Sequence, residues 1–266
     1  MNCESNTGMN PAVPVFETAL RLWGGLGPCR TEEEDGVLLV STGCAIADQN
    51  YALRTGEGDV KKMIKTAREF FASKGMPFSW WIPPGPPAGA ESSLVAGEGM
   101  VYHCSPPAMA LSLEGREGMP ERRDLEFVIC GNSSEADEWA AASLEGFGSG
   151  PEHLGAFMSF AEAMASGPSA DKFRLVTLRS GRAAAGSAMV VLGGDTAGLF
   201  YFSITPPFRR QNLGSALLDF VLGEARRAGC GAMALQASPM GAPLYRGAGF
   251  ADRGAFTVHL SDKSAL

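Results

Sequence analysis

Apolar positions along this chain recur at two periods, and the switches between them predict its elements. In the first part, steps of three and four place Val60, Met63, Ile64, Ala67, Phe70 and Phe71 on one face of a helix over residues 59–73. Short β-rich runs predict strands at 37–41, 51–54 and 78–82, a helix at 88–96, and a final hairpin of 101–104 with 109–113. In the second part, 125–130 reads as a strand. A helix at 134–144 follows, with Asn132, Ser133 or Ser134 to cap it, and a second helix at 151–165 begins on a proline. Alternation over 173–178, 183–192 and 199–205, with turns at Ser180-Gly181 and Gly193-Gly194-Asp195, predicts an antiparallel meander. Residues 213–228 carry Leu213, Leu217, Phe220, Val221 and Ala225 at helical spacing, and Gly229 stops them. A buried strand at 232–237, a short helix before Gly249 and a strand at 256–260 complete the order. Strand pair, helix, strand, helix and closing strand thus occur twice, the pattern of a duplicated α/β (α+β) fold with mixed, mostly antiparallel sheets and flanking helices. The charged, Gly- and Pro-containing stretch 114–124 is the boundary, with units at 1–118 and 125–266.

Composition narrows the function. At roughly 150 residues per domain, 266 residues suit two units. The 45% hydrophobic share is enough for a core, and 19% charged is too little for a disordered chain. A net charge of -7 argues against a nucleic-acid surface. The N-terminal residues show no basic and apolar leader, and no apolar run approaches the ~18 residues of a membrane span, so neither export nor a membrane is expected. Six cysteines without a CxxC fit a reducing, cytoplasmic compartment, and three scattered histidines (103, 153, 259) predict no metal site.

The informative segment follows the strand at 199–205. Pro206 and Pro207 end it, and Arg209, Arg210, Gln211, Asn212, Leu213, Gly214 and Ser215 lead into the long helix. Proline donates no ladder hydrogen bond, so the strand should release its neighbour there. A helix N-terminus offers unpaired N–H groups and partial positive charge. Gly214 allows a ligand close approach, Ser215 adds a hydroxyl, and the arginines add charge. The segment reads as a diphosphate cradle beside a parted strand.

With PPFRRQNLGSALLDFVLGEARRAG followed by ALQASPMGAPLYRGAGF, the second half resembles the GNAT superfamily of acetyl-CoA-dependent N-acetyltransferases. That signature is Q/R-x-x-G-x-G/A opening a helix, then a strand, then a tyrosine four residues before Gly-Phe. Arg209 and Gly214 match its ends, Asn212 stands for the first glycine, Ser238 for a common asparagine, and Tyr245 precedes Gly249-Phe250. The resemblance implies a tandem GNAT-like fold with a degenerate first half. It implies acetyl-CoA as co-substrate, held by the backbone of Ile204 and Thr205, by the loop 209–215 and by Ser238. Tyr245 would be the general acid toward the CoA thiolate, since a tyrosine near pKa 10 can support a thiol near 8.5 without ionising. The acceptor it implies is a primary amine of a small molecule or amino acid, attacking the thioester directly; a homodimer is left open as the assembly. No base is named: 199–205 has no carboxylate, and Glu135, Asp137, Glu138 and Glu162 read as solvated helix faces. The alternatives are a non-catalytic CoA-sensing module, which the departures at Asn212 and Ser238 would suit, and an aminoacyl-tRNA-dependent transferase, which the net charge disfavours.

The corresponding loop of the first half, 54–59, has glycines, but Glu57 and Asp59 would repel a diphosphate. Trp80, Trp81 and the proline-rich 83–87 offer a wall for an acceptor pocket. His103 and Cys104 are adjacent on a strand, so they are expected on opposite faces and not as a nucleophile pair.

Overall fold

The two patterns become two sheets in a computed structural model that describes residues 10–86, 88–116 and 124–261. The first half runs α1 (Ala12–Gly24), β1 (Arg30–Glu34), β2 (Val37–Ser41), β3 (Asn50–Arg54), α2 (Val60–Ala72), β4 (Ser79–Ile82), α3 (Ala88–Gly97), β5 (Val101–Cys104) and β6 (Pro107–Ser112). The second runs β7 (Leu125–Ile129), α4 (Ser133–Phe147), α5 (Leu154–Ser166), β8 (Phe173–Ser180), β9 (Ala183–Leu192), β10 (Thr196–Ile204), α6 (Leu213–Arg227), β11 (Ala232–Gln236), α7 (Ala242–Gly247), β12 (Ala251–Ala255) and β13 (Thr257–Leu260). Each sheet has one parallel pair, β3 with β4 and β10 with β11, and the rest pair antiparallel, as the pattern predicts. The predicted strand–helix–strand order recurs in space: β3–α2–β4 in one sheet and β10–α6–β11 in the other.

The strand orders are β1-β2-β3-β4-β13-β5 and β12-β6-β11-β10-β9-β8-β7. Each half therefore gives its last strand to the other's sheet. Residues 101–104 and 109–113 are not the hairpin that their alternation predicts. Between them lie Ser105, Pro106, Pro107 and Ala108, and each proline fixes its own φ and favours extended backbone before it, so the chain continues instead of reversing. β12 likewise runs into β13 through Phe256, whose N–H donates to the Pro106 carbonyl at 3.0 Å. β5–β6 and β12–β13 form one antiparallel ribbon, from Leu260 opposite Val101 to Ala251 opposite Ala110, that belongs to both sheets. Of the predicted boundary, residues 117–123 lie outside the described residues; a cut there parts β6 from the sheet it completes.

Alternation then sorts the side chains into layers. On β2, Val37 and Leu39 face the helices α2 and α3, whereas Leu38 and Val40 face a central core. The central core takes one face of each sheet and fills with Phe16 and Trp23 from α1, Trp139 from α4, and Phe157 and Phe160 from α5. A third core lies between the second sheet and α6. The sequence reading leaves α1 unassigned, although Ala12, Val15, Phe16, Ala19, Leu20 and Trp23 share a face. Pro14 breaks the pattern only in appearance, because the first turn of a helix has no partner for that N–H. β1 is missed for a different reason: Arg-Thr-Glu-Glu-Glu is exposed throughout, a charged edge strand with no alternation to read.

Candidate active site

The site begins where β10 leaves β11. The two pair from Thr196 opposite Ala232 to Leu199 opposite Leu235, after which β10 runs on to Ile204 without its neighbour. The parting therefore starts before the prolines that were expected to cause it. Its cause is a bulge: the register with β9 shifts between Phe200 and Ser203, and Tyr201 takes a left-handed φ of 47°. The end of α4 then presses onto β10, where a Cβ on Gly146 would overlap Ser203 Oγ.

Beyond β10 the loop 209–212 turns twice through left-handed backbone, at Arg210 (φ 62°) and at Asn212 (φ 59°). Asn tolerates that region better than most residues, which is how it stands where a glycine is usual. Such alternating backbone turns successive N–H groups toward one point. No side chain caps α6, so its first N–H groups remain open to a ligand. Arg210, Gln211, Asn212 and Ser215 are exposed around this end, Leu213 is a core side chain, and Gly214 is half-buried.

Several predicted residues have partners within the protein. The Arg209 guanidinium turns inward, donating to the carbonyls of Ile204 at 3.0 Å and Gly146 at 2.8 Å, and so ties the loop to β10 and α4. Thr205 is buried, with its N–H and hydroxyl both directed to the Ala185 carbonyl. Gln211 donates to Pro207 O, and Ser238 Oγ accepts from the Gly241 N–H at the turn into α7. Glu135, Glu138 and Glu162 are engaged by Gly131, Arg179 and Ser133.

A cavity of about 540 Å³ opens at the parted strands, with Ser238 and Tyr245 on one side. The Tyr245 ring is 6% exposed and stacks edge-on against Phe202 and Phe250, yet its hydroxyl makes no hydrogen bond to a described residue. Burial raises the phenol well above its ordinary value, so it stays neutral and able to donate. The opposite wall comes from the first half: Phe16, Tyr51, Trp81, Asp48, Gln49 and His103. Tyr201, turned by the bulge, joins the halves through hydrogen bonds to Gln49 Oε1 and to the Tyr51 hydroxyl.

Asp48, and its pairing with His103, escaped the sequence reading, which weighs His103 for catalysis only beside Cys104. Asp48 sits in a short turn before β3, and its Oδ2 lies 3.6 Å from His103 Nε2. The cavity walls displace water from Asp48 and push its carboxyl upward, with His103 opposing, although about half of the side chain stays open. His103 and Cys104 both line the cavity, against the expected alternation. The reason is a second bulge: β13 pairs His259 with Tyr102 but Val258 with Cys104, leaving His103 as the extra residue. Cys104 is still no nucleophile, since burial raises its thiol to about 11. Among the described residues no three His, Cys, Asp or Glu side chains gather as metal ligands, and no helix is long and apolar enough to cross a membrane.

Residues 139–250 match the acetyltransferase (GNAT) family. Among solved structures, a GCN5-related N-acetyltransferase from Kribbella flavida shares the fold with a TM-score of 0.69, at 16% identity over 96% of each chain. One from Sphaerobacter thermophilus gives 0.63 at 16% identity, covering 92% of this chain and 84% of its own. A tandem GNAT protein from the clavulanic acid biosynthesis pathway gives 0.59 at 12% identity, over 91% and 86%. At these identities the likeness is one of fold, and it includes the tandem arrangement. No curated protein matches the sequence significantly.

Proposed function

Starting from a GNAT-family domain at residues 139–250, we propose that this protein moves an acetyl group from acetyl-CoA to a primary amine of a small molecule. The observation that carries the reading is the parting of β10 from β11 beyond Leu199, with the uncapped N-terminus of α6 at its mouth and the free Tyr245 hydroxyl on its cavity. The diphosphate of CoA meets the N–H groups and partial charge of α6, with Arg210 and Ser215 beside it. Arg209 serves by holding the loop, with its charge turned toward backbone carbonyls.

The amine nitrogen forms a bond to the thioester carbonyl carbon, the C–S bond breaks, and the electron pair leaves with sulfur. Backbone N–H groups freed by the bulge at 200–203 polarise the carbonyl oxygen. Tyr245 donates to the departing sulfur. Its raised phenol holds its proton until thiolate charge develops, so the donation is strongest as the bond breaks.

Thermal shift tests the cradle. Acetyl-CoA at about 100 times its dissociation constant adds roughly 2.7 kcal/mol, which at roughly 2–4 °C per kcal/mol is about 5–10 °C. Arg210→Ala should shrink that shift. Release of CoA with a panel of amines tests turnover, and a shift without turnover of any amine would favour a CoA-sensing module.

A further inference from the structure

The wall that the first half builds around the cavity has its own chemistry. Its accessible ring is the half-buried Trp81, backed at 4.8 Å by buried Phe16, which stands edge-on to Tyr51 and is stacked by half-buried Phe200 from the β10 side. Polar groups on this wall are few. Gln49 Oε1 and the Tyr51 hydroxyl are both engaged by the Tyr201 hydroxyl, and Ser105 Oγ by the Tyr102 hydroxyl, while the Gln49 amide N–H groups carry no charge. What remains is the Asp48–His103 pair. At 3.6 Å the pair is too far apart for a hydrogen bond, so the carboxylate keeps its lone pairs for another N–H. Asp48 reaches the cavity from the turn before β3, while His103 is delivered by the bulge that the exchanged strand β13 imposes on β5.

We propose that the acceptor is a primary amine carried on a flat aromatic body, with the body against the half-buried rings of Trp81 and Phe200 and the nitrogen at Asp48 and His103. This rests on the acetyl-transfer reading above and supplies its missing base. The amine arrives as an ammonium ion, which the Asp48 carboxylate attracts. One N–H proton passes to His103, leaving the nitrogen pair free to attack; after attack a second N–H proton leaves the adduct and makes up the one that Tyr245 gives to sulfur. The proton on His103 later leaves through the open side of the cavity to solvent. An amino sugar or a diamine fits worse, because most of its hydroxyls or its second ammonium would face the rings, and among the described residues no second carboxylate lines the cavity.

The test compares 2-phenylethylamine with glucosamine and putrescine, using acetyl-CoA and the whole chain. The expected result is a kcat/KM at least about 10-fold higher for 2-phenylethylamine. Asp48→Asn should raise its KM about 10-fold or more, and His103→Gln should lower kcat by about 100-fold, the usual reach of a general base. In both, the thermal shift with acetyl-CoA should equal that of the parent. His103→Asn stands in if the glutamine variant fails to fold. Preference for glucosamine or putrescine overturns the proposal, as does a kcat left intact by both His103 substitutions. So does a preference for hexanoyl-CoA over acetyl-CoA, which would put the aromatic wall on the acyl side. A missing acetyl-CoA shift overturns the parent reading and this one with it. A normal shift with no turnover of the aromatic amine overturns this one alone.

Discussion

α2 and α6 occupy the same place in two copies of one fold, between the members of a parallel strand pair, and their N-termini have opposite characters. At α2 the Asp59 carboxylate accepts from the Lys61 N–H at 2.9 Å, so the helix is closed by its own chain. At α6 no side chain does this, and two left-handed residues turn the loop outward. The strands differ in the same sense. β3 stays beside β4 to Leu53, one residue from its end, and the Arg54 side chain forms an ion pair with buried Glu91 at 2.7 Å, next to Trp80. β10 leaves β11 five residues before its own end and encloses a cavity instead. One architecture thus gives a closed corner where it supplies its own anion, and a binding cleft where it withholds one.

The strongest test of this contrast is Tyr245→Phe. It should cut turnover about 100-fold or more, near 3 kcal/mol, while leaving the acetyl-CoA thermal shift intact. Asn212→Asp makes α6 resemble α2, and a carboxylate there should weaken acetyl-CoA binding by about 10- to 100-fold, measured by titration calorimetry. In the closed copy, Glu91→Gln leaves the half-buried Arg54 without its charge partner. It should cost about 1–3 kcal/mol in urea unfolding, with acetyl-CoA affinity unchanged.

A smaller effect concerns pH. Buried His259 on β13 is held below its ordinary value of 6.5 by desolvation, with Nε2 2.9 Å from Ser92 Oγ. Above 6.5 the ring is neutral in both the folded and the unfolded chain. Below it the unfolded chain takes up a proton that the buried ring resists, so stability falls as pH drops. Unfolding midpoints between pH 7 and pH 5 should fall less in His259→Gln. The smallest effect belongs to Gly214→Ala: its Cβ would sit 3.4 Å from Leu244, ordinary contact, so stability should move by about 0.5–1 kcal/mol at most.

What the sequence disclosed follows from locality. The meander β8–β10, helix α6 and Tyr245 before Gly249-Phe250 are written in contiguous residues, and periodicity plus spacing find them. Arg209 was legible as a cation beside the loop, but not as the clamp on Ile204 and Gly146, because Gly146 lies 63 positions away at the end of another helix. The pairing of Asp48 with His103 carries no local signature. They meet only because β13 crosses into the first sheet and displaces His103 from the regular alternation. The exchange itself hides in two short connections: Ser105-Pro106, which looks like a turn until its proline geometry is considered, and Phe256, which reads as the start of the last strand.

That exchange also sets a timetable for the growing chain. β4 and β5 are made early, yet the slot between them is filled by residues 257–260, more than 150 positions later. Until then two strand edges face each other unpaired, with Trp80 and Trp81 on one of them, and such edges are the usual sites of wrong pairing. The first half therefore spends most of its synthesis as an unfinished sheet. The base proposed at His103 becomes positioned only when that last strand arrives, so an incomplete chain could not yet carry the reaction.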